Sequence, residues 1–126
     1  MKHIINTDKA PAPIGPYNQA VKSGHLIYTS GQIPIDPTTG LFVPGGIREQ
    51  SIQVLENLKS VLEAEGGTLD DVIKTTVFLA DMADFPEVNT IYAEYFGEDN
   101  APARSTIQVA GLPLGALVEI ELVAKV

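Results

Sequence analysis

Between Ile47 and Glu65 apolar side chains return every third or fourth position: Val54, Leu55, Leu58, Val61 and Leu62, with Ser51 on the same stripe. That period predicts a helix with one face turned to a core, and Gly66-Gly67 marks its end. A second helix is predicted over Phe85 to Phe96, where Val88, Ile91, Tyr92, Tyr95 and Phe96 share a face. Asp84 with Glu87 supplies a capping pattern, Pro86 fits the first turn, and Gly97 stops the run. Between the helices the period changes to two. Val72 to Ala80 is rich in β-branched residues, with Thr75, Val77 and Leu79 on one face and Lys74, Thr76 and Phe78 on the other. Neither face is plainly polar.

Shorter patterns flank these elements. Residues 2–6 form a short strand, and the segment Ala10 to Tyr17 holds too many prolines for regular structure. Asn18 to Ser23 and Leu26 to Ser30 bracket Gly24-His25 as a hairpin. Gly31 then bulges the second strand or lets a group approach its backbone closely. Asp36 to Gly40 and Pro44 to Gly46 carry turn chemistry. The stretch Pro102 to Ala124 reads as two strands joined by a turn at Gly111 to Gly115. Taken as an antiparallel pair, its apolar rows are Ser105, Ile107 and Val109 on one strand and Val118, Ile120, Leu122 and Ala124 on the other. That register places Arg104, Thr106 and Gln108 on one face with Glu119 and Glu121.

The order of elements predicts one α+β domain over residues 1–126. Two helices cover only one face of a sheet of about six strands. The other face carries Val, Thr, Phe and Leu that water should not see, so a second copy is expected to cover it.

Composition narrows the function. A hydrophobic fraction of 44% with 19% charged residues is that of a folded domain, which excludes disorder. No window approaches the roughly 20 apolar residues of a membrane span, and the apolar run at Met1 to Asn6 is too short for a signal peptide. Without cysteine there are no disulfides, thiol nucleophiles or Cys-based zinc sites. His3 and His25 are isolated, so no metal is expected. A net charge of −8 with dispersed lysines argues against nucleic acid. These features fit a cytoplasmic protein acting on a small molecule.

Arg104 is the candidate for its recognition. The chain has only two arginines, and Arg48 stands among polar neighbours at a helix start. Arg104 lies in a β-rich run, where its long charged side chain costs free energy unless paired. A guanidinium suits a carboxylate held by two donors. Glu119, Glu121 or a ligand could supply it.

Five segments together resemble the Rid (YjgF) family of reactive-intermediate imine deaminases. They are APIGPYNQA (Ala12 to Ala20), SGQIPIDPTTG (Ser30 to Gly40), KTTVFLADMADF (Lys74 to Phe85), VNTIYAEYF (Val88 to Phe96) and the closing Pro102 to Ala124. The resemblance implies a chorismate-mutase-like subunit, a barrel-like homotrimer and active sites between subunits. It also implies hydrolysis of 2-imino acids such as 2-iminobutanoate and 2-iminopropanoate to 2-oxo acids and ammonia, without cofactor or metal. Carried over by position, Arg104 holds the substrate carboxylate and Glu119 activates water, while Tyr17, Ser30, Gly31 and Asn89 line the cleft. Thr106 stands where many relatives have Cys, which removes thiol-based switching but leaves a hydrogen-bonding hydroxyl. Two other functions stay open on the sequence: a module that binds small carboxylates without turnover, and the translation inhibition or ribonuclease activity described for some relatives.

Overall fold

Ten elements follow one another in the computed structural model, which covers residues 1–126. The strands are β1 (His3–Ile5), β2 (Ala20–Ser23), β3 (Leu26–Thr29), β4 (Ile35–Asp36), β5 (Leu41–Phe42), β6 (Val72–Leu79), β7 (Ala103–Gln108) and β8 (Val118–Lys125). The helices are α1 (Ile47–Glu63), between β5 and β6, and α2 (Phe85–Phe96), between β6 and β7. Six strands form one sheet in the order β1-β2-β3-β8-β6-β7, and β4 with β5 forms a small hairpin. The α+β reading therefore holds, with both helices on one face of the sheet.

The helix stripes meet the sheet as their periods require. Val54, Leu58, Val61 and Leu62 of α1 and Ile91 of α2 are fully buried against Val77, Leu79, Val118 and Ile120. Each such side chain contributes about 1.5–3 kcal/mol when removed from water. At the end of α1, Gly66 takes a φ of 75°, and the Gly67 N–H donates to Leu62 O at 3.0 Å. The polar side of α1 is also structural. Gln50 Oε1 accepts the Leu117 N–H at 2.9 Å, and Asn57 Nδ2 donates to Ile35 O at 2.9 Å. These amides hold the segments whose Ile33, Ile35 and Ala116 form a second, smaller core.

The turn expected at Asp36–Gly40 is present and closes the β4–β5 hairpin, whose strands are too short for a period to reveal. One local expectation needs correction. Asp84 does not cap α2 with its side chain, because it already lies in helical geometry at the end of a 3-10 turn. The side-chain cap belongs to Asp81, which accepts the Ala83 N–H at 2.9 Å.

The larger correction concerns the last two strands, which do not pair with each other. β7 runs parallel to β6 on one side, and β8 runs antiparallel to β6 on the other. The stretch β6–α2–β7 is thus a parallel crossover, the connection that a strand–helix–strand order makes. The hairpin of β2 and β3 is as expected, with Ser23 opposite Leu26.

The face away from the helices is partly apolar. Ile4, Val21, Tyr28 and Val123 form one row across four strands, and Phe78 and Ile107 pair further along. Ile4, Tyr28 and Ile107 are 42%, 47% and 45% exposed. Glu119 and Glu121 project from this same face beside Phe78 and Thr76.

The irregular segment before β2 is held by one buried amide. Gln19 accepts the Thr7 N–H at 2.7 Å and donates to Thr7 O at 2.9 Å, Pro11 O at 2.8 Å and Ala10 O at 3.2 Å. Replacing it with alanine strands the buried Ala10 carbonyl, at a cost of about 1–3 kcal/mol, and unties the half-buried Thr7 and Pro11 carbonyls. Gln19→Ala is expected to lower the urea midpoint and make residues 7–18 the first site of limited proteolysis. Unchanged midpoint and cleavage pattern would remove this role.

Candidate active site

Arg104 stands on β7 directly beside Thr75 of β6, on the sheet face covered by α2. Its guanidinium carbon lies 4.7 Å from the centroid of the Tyr92 ring and 5.3 Å from that of Phe85. Phe85 opens α2 and Tyr92 follows two turns later, so the helix period sets both rings toward the same strand. No carboxylate forms an ion pair with Arg104; the two ion pairs of the chain join Glu65 to His3 and to Lys22. Asn89, Tyr92, Pro102, Glu98 and Arg104 line a concavity of about 540 Å³. Thr106 follows Arg104 on the same face of β7, and its Oγ1 is buried without a hydrogen-bond partner.

Glu119 stands on the other side of the sheet. It is half-buried on β8, and Tyr17, Ser30, Gly31, Ile14 and Pro113 line a concavity of about 330 Å³ with it. Burial raises its carboxyl above the ordinary 4.5, and the charge of Glu121, two residues along the same face, raises it further. Gly31 explains how the carboxylate fits: a β-carbon at position 31 would lie 2.8 Å from Glu119 Cδ and from Oε2. Glycine is needed here for close approach, with no left-handed backbone involved. Gly31 also follows an irregular step, since β3 pairs Tyr28 with Val123 and the strand resumes as a bridge between Gln32 and Ile120. Both sequence alternatives for this glycine are therefore realised.

The loop residues are fixed from behind. Ser30 Oγ donates to Asn18 O at 2.6 Å, so its hydroxyl ties the loop to β3. The Tyr17 hydroxyl accepts the Ile14 N–H at 3.2 Å, which folds the ring under its own turn.

Arg104 and Glu119 therefore do not share a face. Arg104 is level with Thr75, and Glu119 with Phe78 of the same strand. An odd separation along a strand points side chains in opposite directions. The sequence reading of β8 was right, but that of β7 was inverted. β7 is an edge strand whose inward face meets the margin of α2, where Arg104 and Thr106 are half-buried, while Ile107 faces outward. The structure gathers Tyr17, Ser30, Gly31 and Glu119 around one concavity and Asn89 and Arg104 around another.

The model of the family described as Endoribonuclease L-PSP matches residues 7–126. A RutC family protein of Pyrococcus horikoshii is 56% identical over 124 residues, covering 98% of each chain. The 2-iminobutanoate/2-iminopropanoate deaminase of Mus musculus is 52% identical over 124 residues, covering 98% of this chain and 91% of its own. The chain belongs to the Rid (YjgF) family. A crystal structure of RidA from an Antarctic Psychrobacter bacterium superposes with a TM-score of 0.94 at 45% identity, covering 98% of this chain and 99% of that one.

Within this Rid chain, the sequence reading missed the groups that hold Arg104: Phe85, Tyr92 and, behind Tyr92, Thr75. A signal existed, since Phe85 and Tyr92 are seven residues apart on one helix face. Only Tyr92 of the two belongs to the predicted apolar face of that helix, and Gln19 lies in a predicted strand with no role of its own.

The raised carboxyl of Glu119 has a consequence for stability. The folded Rid chain binds this proton more tightly than the unfolded chain, so stability falls as pH rises from 4.5 through the raised value and stays lower above it. Glu119→Gln is expected to melt higher than wild type at about pH 7.5, with the gap closing near pH 4. A gap independent of pH would contradict the assignment.

Proposed function

We propose that the chain is a hydrolytic deaminase of 2-imino acids, yielding 2-oxo acids and ammonia. The observation that carries this reading is Arg104, an arginine whose aromatic neighbours leave its charge without a carboxylate partner. A substrate carboxylate is the natural occupant of that guanidinium edge. The mouse relative's name, 2-iminobutanoate/2-iminopropanoate deaminase, supports the substrate class.

In the proposed mechanism Arg104 anchors the carboxylate in the concavity that Asn89 also lines, while the buried Thr106 hydroxyl stays out of reach of the substrate. Ionised Glu119 removes a proton from water as the oxygen attacks C2 of the protonated imine. The C=N bond becomes a single bond and a carbinolamine forms. Glu119 returns its proton to the nitrogen, and ammonia leaves as the ionised Glu119 or water takes the hydroxyl proton and the carbonyl forms. Water is consumed and ammonia released, so neither metal nor redox cofactor is required. The raised carboxyl of Glu119 makes it a better base than a solvated glutamate.

Because the two concavities lie on opposite faces of one sheet, the complete site is proposed to form between copies, in a homotrimer. The exposed apolar row from Ile4 to Val123, which neighbouring copies would cover, supports the same assembly.

Imine supplied by a pyridoxal-phosphate dehydratase acting on threonine should yield ammonia and 2-oxobutanoate faster with the protein than without it. Arg104→Lys should lose about ten- to a hundredfold in rate, because an ammonium lacks the two-donor fork. Arg104→Lys and Glu119→Gln should each stay at or below about a tenth of wild-type activity alone. Mixed by co-refolding, they should regain activity at about a quarter of the sites, those drawing both intact groups from different subunits. No recovery in verified mixed oligomers would exclude a shared site. Retained affinity for 2-oxobutanoate without turnover in wild type would make the protein a carboxylate-binding module.

A further inference from the structure

We propose that Tyr92 and Phe85 are positioning residues for Arg104, an aromatic cradle that fixes the guanidinium through its faces and leaves its N–H edge free for a carboxylate. The inference rests on the carboxylate reading of Arg104 and adds what makes that arginine ready to bind.

The geometry is built from three elements. Thr75 on β6 is level with Arg104 on β7, and Tyr92 reaches both from α2. Tyr92 Oη and Thr75 Oγ1 are 2.7 Å apart in a buried hydrogen bond. The ring also packs on that of Phe96, with centroids 4.5 Å apart. The ring is thus held by groups other than Arg104, and its face lies 4.7 Å from the guanidinium carbon. Phe85 adds a second ring at 5.3 Å. Burial pushes the Tyr92 hydroxyl up, so it stays an uncharged O–H at neutral pH.

An aromatic holder differs chemically from an acidic one. A glutamate beside Arg104 would occupy its donors and compete with any anionic ligand. A ring interacts with the face of the cation and uses none of its donors. It also offsets part of the cost of half-burying the charge. The long arginine side chain is thereby ordered before the ligand arrives.

The test uses the full-length protein and 2-oxobutanoate, a stable carboxylate of the product class, as the calorimetric probe. Tyr92→Leu and Phe85→Leu should each weaken probe binding and raise KM by roughly two- to thirtyfold, the worth of a cation–π contact. The kcat should stay within about twofold, because the contact acts on ground state and transition state alike. Tyr92→Phe keeps the ring and should recover most of the lost affinity. Loss of melting temperature in Tyr92→Leu with probe affinity and KM unchanged would overturn the inference and leave Tyr92 a core residue. Should Tyr92→Leu fail to fold, Phe85→Leu decides by the same criterion. Arg104→Lys serves as reference: if it binds the probe as tightly as wild type, the carboxylate reading itself fails. If Arg104→Lys loses the probe while both leucine variants keep it, only the cradle fails.

Discussion

β6 is hydrogen-bonded on both sides, and each of its positions commits one side chain on either neighbour to a face. The hydrophobic row of Val118, Ile120 and Leu122 can be buried against α1 and α2 in only one of the two phases. That phase sends Glu119 and Glu121 outward. The parallel neighbour β7 is locked to the same strand, so Arg104, level with Thr75, must turn inward. No rotamer change can undo this, since a slip of one residue would expose several core side chains at about 1.5–3 kcal/mol each. The separation of cation and carboxylate is thus enforced by the core.

The isolated subunit holds these two groups in opposite kinds of dissatisfaction. Arg104 carries a charge that forms no ion pair. Glu119 sits where burial and Glu121 both disfavour its ionised form. A ligand carboxylate at Arg104 would answer the first. The second keeps Glu119 protonated to a higher pH than a solvated glutamate.

Long, strongly periodic segments were legible in the sequence, and the reasons are physical. The stripe from Ser51 to Leu62 has one solution as a buried face, as does the alternation of β8. Gly31 was legible too, because glycine at a strand end has few explanations and two of them apply together. The partner of β7 was not. Its six residues show no clean alternation, and proximity in sequence to β8 suggested a hairpin. The strand–helix–strand order from Val72 to Gln108 held the correction, because a helix that returns over the sheet leaves its second strand parallel to the first. Arg104 and Thr106 were consequently placed on the wrong face of the sheet relative to Glu119. The aromatic holders of Arg104 escaped because Tyr92 serves the core and the cation together.

The amide of Gln19 bears on the timing of order in the Glu119 concavity. Fixing a backbone residue costs about 1–2 kcal/mol of conformational entropy, and the loop that ends in Tyr17 would otherwise lose that freedom only when a ligand arrived. By gripping Thr7, Ala10 and Pro11 during folding, one buried side chain moves much of this loss to an earlier event. A small ligand, with few atoms to contribute, then meets a wall already standing.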